Sequence, residues 1–257
     1  MAAWRNGGAA LLLSAPVLKN SPRAYKEMNR REWTVVLASG VTLALHFACF
    51  MYAMRLTSVA AGTALVCIQG VWIVLFHTVR KVKYRRPVFI GMGIAILGAL
   101  MITGFDISLG GKALLGDLLA LAGGVLAAAY TLLGAVARKT LSTPVYTSTC
   151  YGTTAVVLVV FCLFTGQQLA GFDATGWLGI ILLTLVAQIG GHTAMNHLLS
   201  ILGPLTVSTL ILLESPGAAL IAALVLGQQV PLATYAGLVL ILAGLVLVVR
   251  GQARPAA

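Results

Sequence analysis

Glu214 stands in the middle of an otherwise apolar stretch, where a carboxylate costs about 3 kcal/mol to insert into a bilayer. Pro216 and Gly217 follow it. A proline at 216 withholds an N–H from the carbonyl of Leu212 and its ring presses on that turn, so Pro216 and Gly217 predict a helix break with backbone polar groups freed beside the carboxylate. Broken helices next to ionisable side chains bind ions and substrates in transporters. The competing role for Glu214 is a protonated side chain hydrogen-bonded to a neighbouring helix.

A second group lies upstream. His192 and Asn196 are four residues apart after Gly190-Gly191, so on a helix they share a face while His197 points elsewhere. Two histidines five apart do not give zinc its ligands on one face, so no metal is expected. His46 and Gln69 are further polar groups inside apolar stretches, and Trp72 falls three residues beyond Gln69 on the same face. Trp72 and Tyr130 are candidates for the wall of a path taken by an organic solute, with packing as the alternative. Asp117 follows Gly116 near a helix start, where the dipole favours an acid. Cys49, Cys67, Cys150 and Cys162 have no metal-like spacing and read as small apolar fillers.

These side chains need elements that hold them inside a membrane. Of 257 residues 60% are apolar and 9% charged, with a mean hydropathy of +0.99, which leaves too few polar side chains to cover a soluble globule. The net charge of +11 does not point to nucleic acid, because the basic residues lie in short breaks between apolar segments rather than on one face of a domain. Cutting the chain at Gly, Pro and charged residues predicts nine helices long enough to span: Ala3–Leu18, Trp33–Met54, Ser58–Val79, Pro87–Phe105, Leu114–Ala137, Pro144–Phe164, Gly176–Leu202, Leu205–Leu226 and Leu232–Val249. Pro87, Pro144, Pro204 and Pro231 stand at or just before helix starts, where a missing N–H costs nothing.

The basic residues orient this set, since Lys and Arg in short loops stay in the cytoplasm. Five lie between Lys19 and Arg31 and five between Arg80 and Arg86, followed by Arg138 with Lys139 and by Arg250 with Arg254. Alternation puts all of these on one side and leaves Arg5, Arg55 and Lys112 on the other. The C-terminus is then cytoplasmic and the N-terminus outside. A cleaved signal peptide ending near Ser14-Ala15-Pro16 is disfavoured by the basic cluster that follows.

Internal symmetry fits this count. Thr57 to Gln69 lines up with Leu202 to Glu214 at an offset of 145, pairing Thr63 with Ser208 and Gln69 with Glu214; Gly91 and Gly98 are matched by Gly237 and Gly244 at an offset of 146. A five-helix copy from Leu114 to Val249 crosses the membrane an odd number of times, so the two copies run in opposite senses, as in secondary transporters. The first copy has only four helices, which predicts a start upstream of Met1 or a truncated form.

The run Gly116-Asp117-Leu118-Leu119-Ala120-Leu121 with Tyr130, the turn Leu202-Gly203-Pro204, the segment Leu212-Leu213-Glu214-Ser215-Pro216 with Ala218-Ala219-Leu220, and the counterpart Tyr52 to Ala60 resemble the EamA-type members of the drug/metabolite transporter superfamily. The resemblance implies an all-α integral membrane fold of two inverted repeats, residues 1–105 and 114–250 with a cytoplasmic tail at 251–257, four helices plus five against a family norm of five plus five. It implies an inner-membrane, multi-pass exporter of small polar metabolites such as amino acids, or of drugs; the acidic Glu214 beside the proline break adds the expectation of proton coupling. Ser215 and Gly70 stand where the family commonly has proline after the Glu and the Gln.

The resulting site set is Glu214, Gln69, His46, His192, Asn196, Trp72 and Tyr130, with the break at Pro216 and Gly217. No cofactor is expected. The partners are a small-molecule metabolite and the bilayer, with a homodimer left open. An integral-membrane enzyme is the competing class, but the chain has no H-E-x-x-H, no G-x-S-x-G and no long loop. A truncated, partner-dependent membrane protein is the other alternative.

Overall fold

The structure is a computed structural model that describes residues 1–107, 111–227 and 231–252. The tail expected at 251–257 lies outside the described residues from 253 on. The described elements are helices throughout: α1 (Ala2–Asn20), α2 (Arg30–Ala53), α3 (Val59–Cys67), α4 (Gln69–Val79), α5 (Arg86–Ile107), α6 (Gly111–Ala137), α7 (Thr143–Thr165), α8 (Ala174–Leu182), a π-helix (Leu183–Thr193), α9 (Ala194–Leu202), α10 (Pro204–Ile211), α11 (Glu214–Leu226) and α12 (Leu232–Gln252). Among the described residues six helical stretches are long and apolar enough to cross a membrane, and Arg86–Met101 is a shorter apolar one.

Helix starts follow local chemistry. Asn29 and Glu32 form a reciprocal capping box, with the Glu32 N–H donating to Asn29 Oδ1 at 3.0 Å and the Asn29 N–H to Glu32 Oε2 at 2.9 Å. Ser58 accepts from the Ala61 N–H to start α3, and Asp173 from the Gly176 N–H to start α8. Pro204 opens α10, Pro144 sits in the first turn of α7, and Pro231 precedes α12. Three expected continuous helices are not uniform. Ser58–Val79 divides at Ile68, Leu205–Leu226 divides at Leu212 and Leu213, and Gly176–Leu202 passes through the π-helix.

The chain packs as two compact units, and each takes residues from both ends of the sequence. The first combines Met1–Phe47 with Ala129–Gly203; the second combines Ala48–Ala128 with the chain from Pro204 on. In the first unit α7 is the centre. Tyr146 and Tyr151 are fully buried, and Tyr146 Oη shares a hydrogen bond of 2.6 Å with Ser39 Oγ of α2. A Cβ at Gly40 would stand 2.7 Å from the Cys150 carbonyl, so α2 and α7 touch backbone to backbone there.

In the second unit α5 and α12 run antiparallel at glycine contact distance. A Cβ on Gly91 would lie 2.2 Å from the Gly244 carbonyl oxygen, and one on Gly98 would lie 2.5 Å from that of Gly237. The two pairs singled out in the sequence therefore meet each other across one interface. Without a hydrophobic force between helices in lipid, close van der Waals packing of this kind is what holds them. Asp117 departs from its expected place at a helix start. With α6 beginning at Gly111 it is more than a turn inside, fully buried, and it accepts a hydrogen bond of 2.9 Å from Thr57 Oγ1.

Candidate functional site

The first unit gathers Tyr130, His192, Asn196 and His46 with polar partners that the sequence alone did not single out. Asn196 Nδ2 donates to Tyr130 Oη at 2.5 Å and to Tyr151 Oη at 3.2 Å. Tyr151 and Thr193 hydroxyls lie 3.2 Å apart, and Thr193 Oγ1 donates to the Gln188 carbonyl at 3.0 Å, five residues back. That spacing belongs to the π-helix, whose wider turn carries Gln188 into the core. Gln188 is fully buried; its Oε1 accepts from Arg5 Nε at 2.6 Å and its Nε2 donates to Asn6 Oδ1 at 3.0 Å.

The rings close the group. The Arg5 guanidinium carbon lies 4.4 Å from the centroid of Phe47, a cation–π distance. Phe47 stands 5.6 Å from His192 edge-on, Tyr130 stands 6.4 Å from His192, and His46 is 5.2 Å from Phe47. Arg5 and His46 are both near enough to act electrostatically on His192. With Asn196 donating to both phenol oxygens, the Tyr151 O–H can donate to Thr193 Oγ1, whose own O–H donates to the Gln188 carbonyl. Tyr130 keeps an O–H to offer to a ligand. The cluster therefore presents a guanidinium, two imidazoles and a phenol donor in a protein interior where each is worth more than in water.

Arg138 braces this site from the end of α6, donating to the carbonyl of Asn196 at 3.1 Å, to Ser200 Oγ at 3.2 Å and to the Leu141 carbonyl. His197 is exposed and lies 3.2 Å from Thr143 Oγ1, away from the cluster. Arg5, Asn6, Gln188, Tyr151 and Phe47 were legible only as polar or aromatic residues in apolar helices, and Arg5 was counted solely as an orienting charge.

The second unit holds Gln69, Trp72, Glu214, Pro216 and Gly217. Gln69 is the first residue of α4, immediately after the break at Ile68; Glu214 is the first residue of α11, immediately after the break at Leu212 and Leu213. At both breaks the chain tightens, with Val71 N–H bonded to the Ile68 carbonyl and Ser215 N–H to the Leu212 carbonyl. Pro216 and Gly217 lie in the first turns of α11, and the interruption falls N-terminal to both. The first break forms without a proline.

The two broken helices touch. Cys67 Sγ donates to the Ile211 carbonyl at 3.6 Å, so the last residue of α3 meets the last residue of α10. A Cβ on Gly70 would lie 3.1 Å from Ser208 Oγ. Gln69 is buried, whereas Glu214 is exposed and close enough to act electrostatically on Cys67. Trp72 is half-buried and its Nε1 has no hydrogen-bond partner among the described residues. The N-terminal ends of α4 and α11 favour negative charge through the helix dipole. Among the described residues no group of His, Cys, Asp and Glu has the arrangement of a metal site.

No curated protein matches the chain. A solved crystal structure is similar to it in fold, with a TM-score of 0.70 at 16% identity over 96% of this chain and 85% of that one. Since residues 1–104 and 114–250 match the EamA-like transporter family, the chain belongs to that family and is a multi-pass membrane transporter of the drug/metabolite transporter superfamily.

Proposed function

We propose that the protein is a secondary-active exporter of small polar metabolites, amino acids or drugs among them, with Glu214 exchanging the coupling proton. The observation that carries this reading is the pair of helix breaks 145 residues apart, each followed at once by a polar side chain, Gln69 and Glu214. Matched breaks with unlike side chains suit a carrier in which one copy holds a fixed dipole and the other a titratable group. The same matching supports two inverted copies and nine crossings, and the bias of Lys and Arg supports a C-terminus cytoplasmic in an inner membrane and an N-terminus outside. The Arg5, His192 and Tyr130 cluster supplies donors for a substrate carboxylate or phosphate.

Efflux of a radiolabelled substrate, measured at several external pH values from cells carrying the wild type or Glu214→Gln, tests the proton role. The variant should lose the pH response and most of the concentrative flux. An unchanged rate and pH profile would refute proton coupling through Glu214. The substrate itself is found by an efflux and toxicity screen across amino acids, nucleosides and amphiphilic drugs.

A further inference from the structure

A groove of about 480 Å3 opens on the surface of the first unit along the line where α1 and α7 meet. The helices are antiparallel there: a Cβ on Gly7 would lie 3.7 Å from that of Ala155, and one on Gly152 would lie 3.9 Å from that of Ala10. Small residues on both sides make a narrow trough, which continues past Ser14 to Tyr25 and Trp33. Tyr25 Oη is held by Ser148 Oγ at 2.8 Å at that end.

We propose that this groove seats one acyl chain of an anionic phospholipid whose headgroup rests on Lys19, Arg23 and Lys26. Length supports the assignment. From Gly7 to Lys19 the helix rises about 18 Å at ~1.5 Å per residue, close to the ~15 Å depth of one leaflet. Charge supports it as well. Lys19 in the last turn of α1 is exposed, as are Arg23 and Lys26 in the connection that follows and Arg30 and Arg31 at the start of α2. Two carboxylates lie nearby, Glu27 in that connection and Glu32 in the first turn of α2, and Glu32 is engaged by the Asn29 N–H. Trp33, partly exposed at the lip of the groove, has the character of an interfacial aromatic. A second copy of the chain is a poor occupant, because an isologous contact here would bring two such basic connections together.

The test is native mass spectrometry of the whole protein reconstituted in vesicles of equimolar phosphatidylglycerol and phosphatidylcholine. The wild type should retain one phosphatidylglycerol in preference to phosphatidylcholine. Replacing the cations together (Lys19→Gln, Arg23→Gln, Lys26→Gln) should reduce that preference on the order of a hundredfold, about fivefold per cation. Gly152→Leu, which fills the trough, should lower retention of both lipids while leaving the cations in place. Equal retention of the two lipids by the wild type, or a preference that survives the triple substitution, overturns the proposal. Should Gly152→Leu fail to fold, the triple substitution at exposed positions decides alone.

Discussion

Asn196 holds two phenols with one amide nitrogen, and it is 2% exposed. Replacing it by leucine takes the Nδ2 donor from the buried Tyr130 hydroxyl and leaves Tyr151 with Thr193, at a cost of roughly 1–3 kcal/mol. A lowered midpoint of thermal unfolding in detergent is the expected reading for Asn196→Leu. Tyr130→Phe removes the outgoing O–H and the acceptor of one Asn196 N–H while leaving the ring against His192, so efflux should fall together with a loss of stability of roughly 1–3 kcal/mol. Arg5→Lys keeps the charge but loses the Nε donor to Gln188 and the flat contact with Phe47, and substrate affinity should fall despite the conserved charge. Spacing alone brought out His192 and Asn196, because helical periodicity puts i and i+4 on one face, whereas Tyr130 stood out as an aromatic in an apolar helix. Gln188 and Thr193 escaped it, since their register is that of a π-helix in which partners lie five apart. Arg5 escaped for another reason, that a single cation near an apolar run reads first as topology.

Among the helices, the tightest constraint is the glycine contact between α5 and α12. Gly91→Ala would drive a methyl into the Gly244 carbonyl, and overpacking of this kind costs about 1–3 kcal/mol. Gly93→Ala meets nothing within 4 Å and should be neutral or stabilising by up to ~1 kcal/mol. Thermal unfolding of the two variants side by side checks the difference. Proline and charge punctuation placed the helix starts well, since Pro204 and Pro144 lie in first turns. The divisions at Ile68 and at Leu212 and Leu213 were harder to see. Pro216 pointed to one of them, but nothing in Cys67-Ile68-Gln69 breaks a helix by propensity, and that interruption rests on tertiary contacts of α3 and α4 with α10, at Cys67 and at Gly70. Asp117 was misjudged on the same ground, as its helix begins earlier than the apolar run suggested and Thr57, not a helix end, donates to its Oδ1.

For the molecule as a whole, the proposed orientation predicts which loops face which compartment. In a cysteine-free background, Gln168→Cys, between α7 and α8, should react with a membrane-impermeant maleimide in intact cells, whereas Lys83→Cys, between α4 and α5, should react only after permeabilisation. The opposite pattern would invert the topology. Hydropathy and charge conveyed a multi-pass helical protein at this scale, but not the grouping of its helices, because the packing units cut across the sequence order. That interleaving bears on how the chain is made. Arg5 and Asn6 find their partner Gln188 at separations of 183 and 182 residues, which at ~5–20 residues per second of synthesis is a wait of roughly 10 to 40 s. Until then Gln188, to which both residues bond in the finished fold, has not been synthesised. The contact between α1 and the π-helix is therefore among the last that synthesis makes possible, closing only after most of the chain has been built.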